Sequence, residues 1–305
     1  MQMDGSHHRW FEDRGEMCCL MVMIDDATGV RMSLLARQET TEAANRLLWM
    51  WIERFGVPKS LYTDKKNVYV PSEKDVDNAR LEGREALTQF GRSCKRLSIE
   101  IIRAHSPQAK GRVERSNAVY QDRLVKELRL AQISDIVRAN ELLTGGFDDD
   151  LNRRFAVSAR EATDYHRPPA SYDLPSIFSI QEQRTLSANW TLSFENRIYQ
   201  IESESANYSP ASRKVDVRRY LDGTLHMFYR EREVSFKQID PDERTRNERT
   251  RQKKKTTASR GSPRTGTAPA PKPNHPWKTP WSSNQLMKLP NQQPDISKEF
   301  QEGHF

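Results

Sequence analysis

The segment Cys18–Ile24, CCLMVMI, is an unbroken apolar run. A strand with one wet face alternates apolar and polar residues, so a continuous run of this length reads as a strand covered on both faces. The chain must therefore place layers on either side of a sheet. Asp25-Asp26-Ala27-Thr28-Gly29 is a turn, and Val30, Met32 and Leu34 then alternate with other residues as a partner strand would. Thr40 or Thr41 can cap a following helix whose apolar stripe is Leu47, Leu48, Trp51 and Phe55, stopped by Gly56 and Pro58. Ser60–Thr63 is a short strand ending at Asp64. Residues 65–80 are polar and read as a loop, followed by a helix through about Phe90 and a strand over Leu97–Ala104. Ser106-Pro107 opens a long helix, the hydroxyl as N-cap and the proline in the first turn, where its missing N–H costs nothing. Helical segments continue to about residue 165. With Met1–Asp4 as first strand, the order β-β-β-α-β-α-β-α describes an α/β fold, a mixed five-stranded sheet with flanking helices.

His166-Arg167-Pro168-Pro169 interrupts this pattern, and the chain beyond is all-β. Asp222-Gly223 between Val215–Leu221 and Leu225–Tyr229 is a two-residue hairpin signal. The expected organisation is a core over 1–165, a linker over 166–175, a small β-barrel or sandwich over 176–240 and a tail over 241–305. The net charge of +7 belongs to that tail, which holds 13 Lys+Arg against 6 Asp+Glu and leaves 36 of each for residues 1–240. It also holds 9 of the 16 prolines, and such a stretch cannot bury enough apolar surface to offset its ordering entropy. The tail is expected to be a mostly disordered basic arm.

Several function classes are excluded. No apolar run approaches the ~20 residues of a membrane span, and the first residues lack a signal-peptide layout. Three cysteines, two adjacent, form neither a disulfide framework nor a Cys-x-x-Cys zinc pair. No Gly-rich nucleotide loop and no Ser-His-Asp pattern occurs, consistent with chemistry that needs no ATP. The expectation is a soluble, cytoplasmic protein whose basic segments meet a polyanion.

Three carboxylates fall where this architecture would gather them: Asp4 on the first strand, Asp64 at the end of the fourth and Glu114 on the long helix after the fifth. Sites in open α/β sheets form beyond the carboxyl ends of parallel strands. Carboxylates brought together repel, and an all-oxygen set calls for Mg²⁺ or Mn²⁺ rather than Zn²⁺. Two such ions can activate a water or 3′-hydroxyl and stabilise the leaving oxygen of a phosphodiester. Lys110, Glu114, Asn117 and Gln121 share one helix face, while Val113, Tyr120, Leu124 and Leu128 form a neighbouring apolar stripe.

Asp4-Gly5-Ser6-His7 is similar to the first-aspartate segment of the integrase/transposase superfamily with an RNase H-like core. Leu61-Tyr62-Thr63-Asp64 is similar to its second-aspartate strand. The segment from Ser106-Pro107-Gln108 to Glu114-Arg115-Ser116-Asn117 resembles its Pro-Gln-x-x-Gly-x-x-Glu-x-x-Asn motif. The resemblance covers about residues 1–165, and the β-module and basic tail resemble the layout of insertion-sequence transposases of the ISNCY type. It implies a DNA transposase with Asp4, Asp64 and Glu114 as its DDE metal triad, acting as a homo-oligomer on transposon ends and target DNA. Pro107 to Lys110 would be a loop beside the DNA end, and Asn117 would face the DNA. His7, Lys65, Lys66, Gln108, Lys110, Arg112 and Gln121 are the further candidates for DNA contact. The family usually follows its second aspartate with Asn-Gly, whereas Lys65-Lys66-Asn67 stands here, two lysines able to hold phosphate. Forty-nine residues separate Asp64 from Glu114, more than is usual, with the excess in the polar segment 65–80. The chain begins three residues before Asp4, which reads as a truncated start. Two alternatives stand beside the transposase: a truncated, inactive remnant that binds DNA or partner subunits, and an RNase H-like nuclease. Cys18 and Cys19 read as small core residues, and Trp51 as part of the first helix's core stripe.

Overall fold

The computed structural model describes residues 1–103, 111–202 and 213–239. Its principal sheet has the order β3-β2-β1-β4-β5, formed by β1 (Gln2–His8), β2 (Cys18–Ile24), β3 (Arg31–Ala36), β4 (Ser60–Thr63) and β5 (Glu100–Arg103). The first three strands are antiparallel neighbours, and β4 and β5 run parallel to β1. This is the RNase H-like mixed sheet that the motifs imply. The apolar run on β2 is the reason for its layers. Cys19, Met21 and Met23 enter one apolar cluster, and Cys18, Leu20, Val22 and Ile24 enter the other.

The first cluster is closed by α1 (Thr41–Phe55), which buries Leu47, Leu48, Trp51 and Ile52. Thr40 caps it by accepting from the Ala43 amide at 3.2 Å, and Gly56 ends it at φ +97°, a backbone region that costs a residue with a Cβ. The second cluster is closed by α4 (Gly111–Leu130), through Val113, Tyr120, Leu124 and Leu128 as the stripe predicts. Beyond it lie α5 (Ile136–Leu142) and α6 (Asp148–Phe155).

Four local expectations are corrected. β1 continues to His8, because its pairing with β2 runs from Gln2↔Ile24 to His8↔Cys18. The polar segment 65–80 contains most of a helix, α2 (Glu73–Leu81), capped by Ser72 and burying only Ala79, so it leaves no apolar stripe to read. The next helix, α3 (Gln89–Arg96), starts at its Thr88 cap, close to where the first was expected to stop. Helix ends at Phe155, not near residue 165. The proposed Ser106-Pro107 helix start lies outside the described residues.

Residues 166–178, read partly as a linker, pack on the core. Arg167 makes a β-bridge with Val57 and donates to the Leu97 carbonyl at 2.6 Å. α7 (Leu174–Phe178) puts Leu174, Ile177 and Phe178 into the first apolar cluster. The strands that follow are β6 (Ile180–Thr185), β7 (Thr191–Phe194), β8 (Arg197–Ile201), β9 (Lys214–Arg219), β10 (Leu225–Tyr229), β11 (Arg232–Glu233) and β12 (Phe236–Ile239). They form two sheets, β11-β10-β9-β6 and β12-β8-β7, over a shared core that includes Phe194, Tyr199, Val217 and Met227. Among the described residues the module is a pair of small sheets rather than a closed barrel. The basic tail lies outside the described residues.

Candidate functional site

Strand β1 faces α4 with every second side chain. Gln2 Oε1 accepts from the Val113 amide at 3.0 Å, Asp4 Oδ2 accepts from Asn117 Nδ2 at 3.1 Å, and Ser6 Oγ accepts from Gln121 Nε2 at 3.2 Å. Four residues of helix rise about 6 Å and two of strand about 6.6 Å. The two periods therefore keep step, and each polar residue of the strand meets one helix position. Asp4 is thus held from the helix that carries Glu114.

Asp64 follows β4 directly. β1 and β4 pair in parallel at Gln2↔Tyr62, and Asp4 within β1 and Asp64 just past the end of β4 each lie two residues beyond that pair. Both are half-buried, whereas Glu114 is exposed in the first turn of α4, one turn before Asn117. Asp4, Asp64 and Glu114 do not form a group with ligand atoms all within 4.8 Å of one another; among the described residues His7, Cys19 and Glu39 do. Burial, then the neighbouring Glu39 charge, push the Cys19 thiol up to about 12, so at neutral pH it is an uncharged core side chain.

Glu39, in the segment between β3 and α1, is the site residue that sequence reasoning missed. Its side chain is 4% exposed and pairs with the Lys66 ammonium. It seats against Gly5, where an added Cβ would collide with the Glu39 carboxylate, so a glycine after Asp4 is what admits it. Lys66 also donates its amide to Asp64 Oδ1 at 3.0 Å and brings its ammonium to 3.4 Å from Asp64 Oδ2. Burial pulls the Lys66 pKa down, but Glu39, Asp64 and Asp4 together outweigh it and hold the amine above its ordinary value. Tyr69 lies buried alongside, and burial first, then Glu39, raise its phenol well above the usual range.

The Lys66 ammonium thus contacts Glu39 and Asp64 with Asp4 in the same field, and the Tyr69 phenol lies against the Glu39 carboxylate. Asp4, Asp64 and Glu39 do not form a group with ligand atoms all within 4.8 Å of one another either, but the carboxylate oxygens of Asp4 and Asp64 are the donor chemistry that suits a hard divalent ion such as Mg²⁺ or Mn²⁺.

The other predicted DNA contacts divide. Lys65 and His7 are exposed, Gln121 is exposed and bonded to Ser6, and Arg112 pairs with Asp26 Oδ1 at 3.0 Å. Gln108 and Lys110 lie outside the described residues. A cleft of about 790 Å³ opens elsewhere, lined by Met1, Asp25, Asp26, Trp51, Arg112 and His166 among others, and by none of the three predicted catalytic carboxylates.

No family model matches the chain. It is 38% identical over 247 residues to a putative transposase, y4bF, of Sinorhizobium fredii, covering 80% of this chain and 53% of that protein. It is 30% identical over 230 residues to the transposase for insertion sequence IS1202 of Streptococcus pneumoniae, covering 74% of this chain and 48% of that one. The chain spans about half the length of the curated relatives it matches. Among solved structures it overlaps a simian T-cell lymphotropic virus intasome in complex with a PP2A regulatory subunit, with TM-score 0.40 and 16% identity over 79% of this chain and 78% of that one. The HTLV-2 integrase catalytic core domain in complex with magnesium overlaps it with TM-score 0.35 and 19% identity, over 48% of this chain and 82% of that one. The transposase resemblance carried by the motifs is met by relatives that align with most of the chain.

Proposed function

We propose that this chain is the catalytic core and β-module of a DDE transposase, a polynucleotidyl transferase that cuts at transposon ends and joins the freed 3′-hydroxyl to target DNA. The observation that carries this reading is Asp4 on β1 beside the end of the parallel strand β4, where Asp64 follows, with the Glu114 helix bonded to Asp4 through Asn117. The names of the two transposase relatives agree with it.

Asp4 and Asp64 would hold one or two Mg²⁺ or Mn²⁺ ions, with Glu114 closing the site when DNA is bound. Ions held there supply charge neutralisation on the phosphodiester and lower the pKa of a bound water or 3′-hydroxyl. Asn117 donates to Asp4 Oδ2 and so helps to orient the Asp4 carboxylate. Glu114, exposed in the first turn of α4, can move toward the sheet without disturbing the buried stripe of its helix. Lys65, His7, Gln121 and Arg112, with Gln108 and Lys110, would contact the backbone of the DNA end, and the tail would add non-specific contact. The protein would act in the bacterial cytoplasm, at the nucleoid, as a homo-oligomer on its two ends. Among the described residues no helix is long and apolar enough to cross a membrane.

The test is Mg²⁺-dependent joining of labelled terminal-repeat DNA to a target by the protein that contains this chain. Asp64→Asn and Glu114→Gln are each expected to lower joining about 100-fold or more, since each removes charge stabilisation worth several kcal/mol. Full joining by Glu114→Gln would refute the triad, and cut products without joined ones would point to a nuclease. Binding is expected to weaken steeply with salt because each neutralised phosphate releases counterions.

A further inference from the structure

Lys66 stands where a metal-binding site has most need of positive charge. It follows Asp64 by two residues, its amide and ammonium both address the Asp64 carboxylate, and its ammonium also pairs with Glu39. Asp4 is the third carboxylate in its field. An exposed ion pair contributes little, but this one has a partner that is 4% exposed. A buried carboxylate without a counter-charge is strongly unfavourable, so Glu39 binds Lys66 in place. The Lys66 side chain itself is 44% exposed, so its four-carbon stem has a free path to solvent.

We propose that the Lys66 ammonium is a built-in substitute for the divalent cation. It pairs with Asp64 and Glu39, with Asp4 in its field, in the metal-free protein, and it is displaced from Asp64 when a metal ion takes Asp4 and Asp64. This rests on the reading that Asp4 and Asp64 hold the metal. Two cations cannot use one set of oxygens, because like charges a few ångström apart repel in a site of low dielectric constant. Lys66 therefore sets the metal affinity from below: it keeps the unloaded site folded against carboxylate repulsion, and it weakens metal binding by the free energy of its own displacement. Glu39, through its buried seat on Gly5, keeps the ammonium beside the site and is a positioning residue rather than a catalytic one.

The test is Mn²⁺ binding, read from the electron paramagnetic resonance signal of free Mn²⁺ in titrations of the wild-type protein, Lys66→Met and Asp64→Asn. Lys66→Met is expected to bind Mn²⁺ about tenfold more tightly, the effect of removing one competing charge from a partly solvated site. Asp64→Asn is expected to lose that binding. Loss in Asp64→Asn with no tightening in Lys66→Met overturns the substitution by Lys66 and leaves the metal reading standing. Unchanged binding in Asp64→Asn overturns both. A second measurement uses the wild-type protein alone and decides the matter should Lys66→Met not fold. Acetylation of Lys66 by acetic anhydride, followed by mass spectrometry with the adjacent Lys65 as reference, is expected to rise several-fold as Mn²⁺ saturates the protein. A Lys66-to-Lys65 ratio that metal leaves unchanged refutes the displacement.

Discussion

At the residue scale, the interior between β3 and α4 contains a charge that controls stability. Asp148 is buried and accepts from the Ser33 amide at 2.7 Å, the Ser33 hydroxyl at 2.9 Å and the Tyr120 hydroxyl at 2.6 Å. Burial nevertheless pushes its carboxyl up to about 6 from 3.8, against the lowering by those donors. A carboxyl raised in the native state keeps its proton where the unfolded chain has lost it. Its contribution to stability is therefore complete below about pH 4, shrinks as pH rises through about 6, and is gone above that, a change of about 3 kcal/mol. Asp148→Asn keeps the shape without the titration. Urea denaturation of the wild type is expected to show a midpoint that falls between about pH 4 and 6.5 and then levels, a fall that the variant lacks; the same fall in both would refute the assignment. Nothing in the sequence marks Asp148 among the aspartates at 148–150, because what separates them is the burial of the first beneath Tyr120.

At the element scale, the meshing of β1 with α4 does two tasks at once. An α-helix begins with amides that lack intrahelical partners, and at α4 one of them, Val113, is served by Gln2 from the neighbouring strand. Gln2→Ala is expected to cost about 1–2 kcal/mol and to speed hydrogen exchange at the Val113 amide, since a buried donor is left without an acceptor. Unchanged exchange there would show that the helix start does not depend on β1. One turn on, Asn117→Ala is expected to lower joining activity about tenfold while leaving the fold intact, by removing one of the contacts that orient Asp4. A matching loss of melting temperature would instead make Asn117 structural. These contacts were half legible in the sequence. The strand run, the Tyr120 stripe and the shared face of Glu114 and Asn117 were readable from period alone. The partner of each position was not, because it depends on how the strand and helix register across the layer. Glu39 was illegible for the same reason: it sits in a connection with no period, and only the Gly5 surface beneath it, at the centre of a folded sheet, gives it a seat. α2 and β6 escaped because helix and strand are read from buried stripes. α2 buries only Ala79, and β6 buries no side chain fully.

At the scale of the whole molecule, the β-module is bound to the layer that carries the three carboxylates rather than strung behind it. Gln89 and Gln181 exchange a pair of hydrogen bonds at 2.6 and 3.1 Å, Arg92 donates to the Ser179 carbonyl at 2.5 Å, and Arg46 donates to the Leu221 carbonyl at 2.8 Å. Between these, Phe178 is fully buried and stacks on Trp49 of α1 with ring centroids 5.7 Å apart. The Pro-rich break at 166–169 reads in sequence as the end of one body, yet prolines fix an extended path equally well along a packed surface. Composition alone does not distinguish the two, and the buried Leu174, Ile177 and Phe178 do. Each such side chain contributes roughly 1.5–3 kcal/mol by its burial, so the group approaches the whole stability of an ordinary domain. Phe178→Ala is accordingly expected to cost about 3–5 kcal/mol, and a chain ended at residue 165 to lose cooperative unfolding altogether, both followed by thermal denaturation. A chain of residues 1–165 that melts cooperatively at the wild-type temperature would show the core complete without the module. The expected loss places the module's first helix among the determinants of the carboxylate site, because α1, whose face Phe178 covers, is entered through the segment that carries Glu39.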